Sequence, residues 1–353
     1  MQQFERTDRG QLEELEVGSD SIASTEARPR PRAKIANEGA DGLYSQTWFP
    51  VCRSSELSRG SVIGRGFLGG KVAIYRGADG RARVVSAYCV HMGADLSVGS
   101  VVGNHLRCAF HHFEYGEGGR CVKTGIGAAP PKGARIFEFP TAERYGLIWA
   151  FNGEAPLWQL PELDRTEADL LIVERDVDIT KCDPFVVTAN AFDWQHFAIL
   201  HDFHSAAPMR EEDIRWDQYS CGFEFTGKHW QGEDTHYKID IYGTNIYLQQ
   251  GTLNDQWYTM MLPMGLPRPG IMTAYMQILL PKGNGSTEEL TRARYAAEAL
   301  ADMEMRFVIQ DQDILNTIHF GAGYLIPEDQ QFTRFLKYLR RYPRANPAKH
   351  YLE

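Results

Sequence analysis

Cys89-Val90-His91 and Cys108-Ala109-Phe110-His111 are two short thiol and imidazole pairs with sixteen residues between them. Such pairs on neighbouring loops can grip one inorganic centre. Two thiolates and two imidazoles suit a tetrahedral zinc, or a [2Fe-2S] cluster in which two imidazoles replace two thiolates on one iron. The flanks favour the cluster: Gly93 follows the first pair, and the aromatic run His112-Phe113-Glu114-Tyr115 with a glycine follows the second. His112, next to His111, is expected to pack rather than to ligate.

Asn190-Ala191-Phe192-Asp193-Trp194-Gln195-His196-Phe197-Ala198-Ile199-Leu200-His201 is a second concentration of polar groups in an apolar setting. Two histidines and a carboxylate from elsewhere would form a facial triad that leaves one side of ferrous iron open for O2. The alternative is two core histidines with hydrogen-bond partners. Positions five apart lie about 140° apart on a regular helix, so the chain should widen or break between His196 and His201. His204 offers a rival pair with His201, but it follows the Asp202-Phe203 that leaves the helix.

The carboxylate is expected from a long helix downstream. Val308, Asp311, Leu315 and Ile318 follow a 3-4-3 spacing, which puts Asp311 in an apolar stripe. Asp313 falls on a polar face with Arg306, Gln310 and Thr317. An ionised carboxylate on a buried face needs a partner, either a metal cation or a buried arginine.

These residues need elements to hold them. Residues 71–75 alternate, Gly77-Ala78-Asp79-Gly80 turns the chain, and residues 83–85 return, which predicts a hairpin. Residues 136–139 and 147–151 also read as strands. Residues 43–154 therefore form a small all-β domain with the metal-binding loops at hairpin tips. Gly64-Arg65-Gly66-Phe67-Leu68-Gly69 matches a dinucleotide fingerprint, but that motif needs a helix after it. A hairpin is expected instead, so these glycines are read as turn residues and not as an NADH site.

A proline-bearing linker at 155–164 leads into the second domain, residues 155–353. Strands are expected at 170–175, 237–241, 257–262 and 271–280. Ser286-Thr287-Glu288-Glu289 reads as a capping box opening a helix to about Ile318, and residues 332–342 as a final helix. The fold class is α+β: an N-terminal all-β domain, then an antiparallel sheet covered by helices. Residues 1–42 are polar and read as a partly disordered extension, with a short helix over 11–16 and ordered structure from near Tyr44.

Composition limits the partners. The net charge of -9 argues against non-specific nucleic-acid binding. No run of eighteen apolar residues predicts a membrane span, and the N-terminus lacks the apolar core of a signal peptide, so a cytoplasmic location is expected. Cys52, Cys121, Cys182 and Cys221 show no pairing logic and read as small buried thiols. Met260, Met261, Met264, Met272 and Met276, with Tyr258 and Tyr275, either line an adaptable pocket or are ordinary core.

With both constellations in place, residues 44–345 resemble a Rieske non-haem iron oxygenase α-subunit. The likeness is carried by the two Cys/His pairs, by Asn190, Asp193, His196 and His201, and by Gln310-Asp311 with Ile314-Leu315. The stretches around His201 and His111 are most similar to aminopyrrolnitrin oxygenase and other natural-product oxygenases. The resemblance implies that Cys89 and Cys108 hold one cluster iron and His91 and His111 the other. It implies that His196, His201 and Asp311 hold a mononuclear Fe(II). Asp193 matches a carboxylate that links the cluster of one subunit to the iron of its neighbour, and Asn190 matches a polar residue beside that iron. It further implies a homotrimer, fed with electrons by a ferredoxin and an NAD(P)H-dependent reductase, that uses O2 to hydroxylate or N-oxygenate a small aromatic or heterocyclic substrate. Two readings compete: a Rieske electron carrier with a non-catalytic ligand-binding domain, and a zinc-stabilised β module.

Overall fold

Leu68 and Gly69 turn the strand Val62–Phe67 back onto Gly70–Arg76, so the glycine-rich run is a hairpin. Both residues have positive φ, 50° and 82°, the geometry of a tight hairpin turn. The computed structural model describes residues 35–202, 204–205, 210–228, 232–320 and 323–352. The helix expected over 11–16 lies outside them.

The N-terminal half is built from short strands. Gly70–Arg76 pairs antiparallel with Ala82–Ser86, as the alternation predicts, in a four-stranded sheet closed by Glu138–Phe139. Of the strand expected at 136–139, only those last two residues pair. A three-stranded sheet joins Thr141–Arg144, Leu147–Phe151 and Trp48–Arg53. A third sheet orders Ser100–Val102, His105–Arg107, Glu114–Tyr115 and Cys121–Lys123.

Residues 170–281 supply a larger, wholly antiparallel sheet. Leu170–Thr180 lies at one edge, followed by Ile271–Pro281, Gln256–Arg268, Ile246–Leu253, Asp234–Tyr242 and Ser220–Lys228. His204–Ser205 and Arg215–Trp216 both pair with Ser220–Lys228 at the far edge. Helices α1 (Pro184–Asn190), α2 (Trp194–Leu200), α3 (Thr287–Leu315) and α4 (Gln330–Arg341) complete this part. Ala297 and Ala301 of α3 and Phe335, Leu336 and Leu339 of α4 share one core with the sheet residues Phe223, Met264 and Met276. Of the expected methionines, Met260 alone borders the cavity described below; Met261, Met264, Met272 and Met276 are core.

The two halves share a core. Trp48, Trp149 and Phe151 pack with Ile246, Leu248, Met261 and Leu279 of the large sheet. Each such buried side chain contributes roughly 1.5–3 kcal/mol of transfer free energy. Residues 34–353 accordingly form one compact unit.

Three features differ from expectation. Residues 35–43 are folded rather than extended. Arg344 donates to the carbonyls of Ala36, Asn37 and Leu43, and Glu38 is buried against Ser45. The capping box is half formed: Ser286 Oγ accepts from Glu289 N–H, but Glu289 accepts from Asn284 N–H instead of reaching Ser286. Helix α3 stops at Leu315, because Asn316 caps it and spends its side chain on Lys181 N–H. Ile318 therefore lies beyond the helix and is exposed.

All six cysteines are buried and free. Among the described residues, no helix is long and apolar enough to cross a membrane.

Candidate cluster and metal sites

Two turns of similar build present the first constellation. Cys89 N–H donates to the Ala94 carbonyl, and Gly93 takes the positive φ that closes that loop. Cys108 N–H donates to the Phe113 carbonyl, and there His112 takes the positive φ, 53°. His112 is exposed at the turn, so it serves the backbone and does not pack as expected. Cys89 and Cys108 are buried, while His91 and His111 face each other nearer the surface with Nδ1 atoms 3.2 Å apart. Phe113 stacks on His91 at 4.7 Å, and the Tyr115 hydroxyl sits 3.0 Å from Cys89 Sγ. Burial pushes the Cys89 thiol up from its ordinary range, against the Tyr115 hydrogen bond. Convergent soft and borderline donors of this set fit a cluster with two thiolate and two imidazole ligands.

The second constellation lies on α1, α2 and α3. Asp193 caps α2: its carboxylate accepts from His196 N–H at 3.0 Å. The break expected between the histidines is the end of the helix. His201 is the C-cap residue after Leu200, and Asp202 follows at φ 51°. That turn brings both rings to α3. His196 Nε2 and His201 Nε2 stand 3.4 and 3.1 Å from Asp311 Oδ1, and one ligand atom from each of the three residues lies within 4.8 Å of the others. The rival His204 lies in the edge strand His204–Ser205.

The donor set passes a direct test of fit. Among the described residues, Asp311 Oδ1 is buried with no hydrogen-bond donor assigned to it, and the ion pairs of the carboxylate are with the two histidines. A buried carboxylate oxygen left bare beside two imidazole nitrogens is what a metal ligand looks like without its cation. Asp311's other oxygen is held by Asn190, whose Nδ2 donates at 3.2 Å. Burial holds His196 below the usual imidazole range despite the Asp311 charge. In His201 burial also pulls downward, but the adjacent Asp311 and Gln310 outweigh it and leave the ring raised.

Gln310 is exposed, as the helical pattern expects, yet its side chain is a partner of the site: its Oε1 lies 2.9 Å from His201 Nδ1. Such an acceptor fixes the ring and leaves Nε2 for the metal side. Asp313 is exposed, as expected. A cavity of about 110 Å³ opens beside the three residues, walled largely by aromatic and aliphatic side chains.

Residues 47–134, which carry the paired thiol and imidazole loops on a small β domain, match the Rieske [2Fe-2S] domain. The chain is 37% identical over 245 residues to cholesterol 7-desaturase of Bombyx mori, covering 63% of this chain and 50% of that protein. It is 32% identical over 188 residues to the oxygenase component of chloroacetanilide N-alkylformylase of Rhizorhabdus wittichii, covering 49% and 53%. Aminopyrrolnitrin oxygenase PrnD of Pseudomonas fluorescens matches at 37% over 142 residues, 36% and 39% of the two chains. The desaturase match is longer, so the natural-product oxygenases are not set apart from other relatives. The chain spans about half the length of the first curated relatives it matches. In fold it is similar to Pseudomonas putida NdmA with caffeine, at TM-score 0.65 and 19% identity over 84% of this chain and 90% of that one. Dicamba monooxygenase bound to dicamba gives 0.63 and 19% over 84% and 97%. The chain carries a Rieske [2Fe-2S] domain, is related in sequence to Rieske oxygenases and has their fold.

Proposed function

We propose that this chain is the oxygenase component of a Rieske non-haem iron system that oxidises a small organic molecule with O2. In this reading residues 43–154 hold the cluster through Cys89, His91, Cys108 and His111. Residues 155–353 hold Fe(II) through His196, His201 and Asp311. The observation that carries it is the bare, buried Asp311 Oδ1 between two imidazole nitrogens, opening on a largely apolar cavity. Ferrous iron with one side open supplies reductive activation of O2.

The chain's own residues do the rest. Asn190 holds one oxygen of Asp311, and Gln310 orients His201. The apolar wall keeps water from the reacting groups. His91 sits at an exposed tip beside Val90, Met92 and Phe110, which are 42, 66 and 61% exposed. That rim suits docking of an electron donor, a ferredoxin served by an NAD(P)H-dependent reductase. In the homotrimer this reading includes, Asp193 links the cluster of one subunit to the iron-site histidine of the next. The aromatic cavity wall favours an aromatic or heterocyclic substrate, with hydroxylation or N-oxygenation as the reaction.

The test is anaerobic loading with Fe(II) followed by nitric oxide. The expected result is a Rieske visible spectrum together with a high-spin ferrous-nitrosyl EPR signal, and O2 uptake when a surrogate ferredoxin and reductase are added. Zinc as the bound metal, with no visible absorption, rejects the reading.

A further inference from the structure

The cavity beside the triad has a polar wall that nothing above uses. Glu304 lies seven residues before Asp311 on α3, two turns and about 10 Å along the same face. Both residues border the cavity. Glu304 is buried, and among the described residues no lysine or arginine pairs with it. Its Oε1 accepts from the Tyr258 hydroxyl at 2.6 Å and from Gln249 Nε2 at 3.2 Å. Gln249 is fixed in turn by Tyr247, whose hydroxyl donates to its Oε1 at 2.9 Å. The Tyr237 hydroxyl stands 3.0 Å from that of Tyr258.

The sheet makes room for this cluster. Tyr237, Gly251 and Tyr258 are cross-strand neighbours in one row, so glycine separates the two tyrosines. Their rings meet edge to face at 5.7 Å, which a side chain between them would obstruct. A Cβ at Gly251 would in any case collide with the His236 carbonyl.

The network saturates Oε1 and gives Oε2 no partner among the described residues. Burial pushes the carboxyl above its ordinary range, with Tyr258 and Gln249 opposing. The facing wall, including Trp194, Phe223, Phe225, Met260 and Leu262, is apolar or aromatic. A polar atom left open in such a cavity has an unmet hydrogen bond, which a ligand group can supply.

We infer that Glu304 Oε2 anchors a hydroxyl group of the substrate, so that the substrate is an alcohol or phenol on an apolar ring system, held from a position two helical turns before Asp311. A hydroxyl can donate to that oxygen or accept from it, and so suits the carboxyl in either protonation state. Glu304 is thus a specificity-determining residue: it fixes which end of the molecule lies away from His196, His201 and Asp311. This rests on the oxygenase reading, because only there is the cavity a substrate site.

The test uses phenol and 4-methylphenol, each against its methyl ether, titrated calorimetrically into the full Fe(II)-loaded chain. The expected result is a preference of about tenfold or more for each hydroxyl compound over its ether. Glu304→Met should erase that preference while keeping affinity for the ethers and keeping the iron. Glu304→Gln, which preserves volume and an acceptor for Tyr258, should reduce it and carries the comparison if the Met variant does not fold. Equal affinity within each pair, no binding by any of the four, or a preference that survives both substitutions overturns the assignment. The parent reading fails separately, by absence of a ferrous-nitrosyl signal from the wild type.

Discussion

Asn190 Nδ2 donates to Asp311 Oδ2 at 3.2 Å, joining the last residue of α1 to the middle of the candidate iron site across 121 residues of sequence. The bond leaves Oδ1 directed at the two imidazoles. Asn190→Ala should therefore loosen Asp311 without removing a ligand. The expected loss is about 10- to 100-fold in Fe(II) affinity, the usual weight of a hydrogen bond that orients a ligand. Competition with a chelator measures it, with the Rieske absorption as the internal control.

Asp311 and Asp313 separate more sharply. Asp311 faces His196 and His201, whereas Asp313 is exposed. Asp311→Ala should bring the iron content from about three per chain to about two, with the cluster spectrum intact, because two imidazoles hold Fe(II) weakly. Asp313→Ala should keep all the iron and shift stability by less than about 0.5 kcal/mol. Metal analysis of both variants decides the point.

A pH effect on stability should arise at Glu38, which is not among the candidate ligands. Burial raises the Glu38 carboxyl from 4.5 to about 7, even though Ser45 donates to it through N–H and Oγ and Arg344 attracts it, while Asp183 adds to the rise. Between those two values the folded chain binds more protons than the unfolded one, so stability falls as pH rises. The contribution is complete below 4.5 and is lost as pH passes 7, a total of about 3 kcal/mol. Urea midpoints followed from pH 4.5 to 8 should fall in the wild type and flatten in Glu38→Gln. An unchanged slope in that variant assigns the effect to another group.

What the sequence makes legible is what local spacing controls. The two thiol and imidazole pairs are each four residues or fewer, and each closes within its own turn, so the pattern carries the site. The 3-4 period of α3 separates Asp311 from Asp313 without any knowledge of the partner surface. The same period, run backwards through Val308 to Glu304, Ala301 and Ala297, would have marked Glu304 as a buried acid. Other features are illegible because they depend on distant segments. Gln310 is polar-faced by helical angle and finds His201 only because α2 ends there. Residues 35–43 look like tail until Arg344, some three hundred positions later, occupies their carbonyls. Ile318 fits the stripe by spacing, yet the cap at Asn316 removes it from the helix.

Asp193 carries two assignments that a pair of substitutions can divide. Its carboxylate caps α2 through His196 N–H at 3.0 Å, which is reason enough for an aspartate there. The bridging role proposed for it needs charge and an accessible oxygen, not only an acceptor. Asparagine caps helices about as well as aspartate, whereas alanine costs about 1 kcal/mol. Asp193→Asn should therefore leave thermal stability and iron content near wild type while slowing oxidation of the reduced cluster in a single turnover with O2. Asp193→Ala should show the same slow transfer with a stability loss of about 1 kcal/mol added, and some loss of iron, because the turn that aims His196 frays. If the Asn variant transfers electrons at the wild-type rate and only the Ala variant is impaired, the cap is the whole of what Asp193 does.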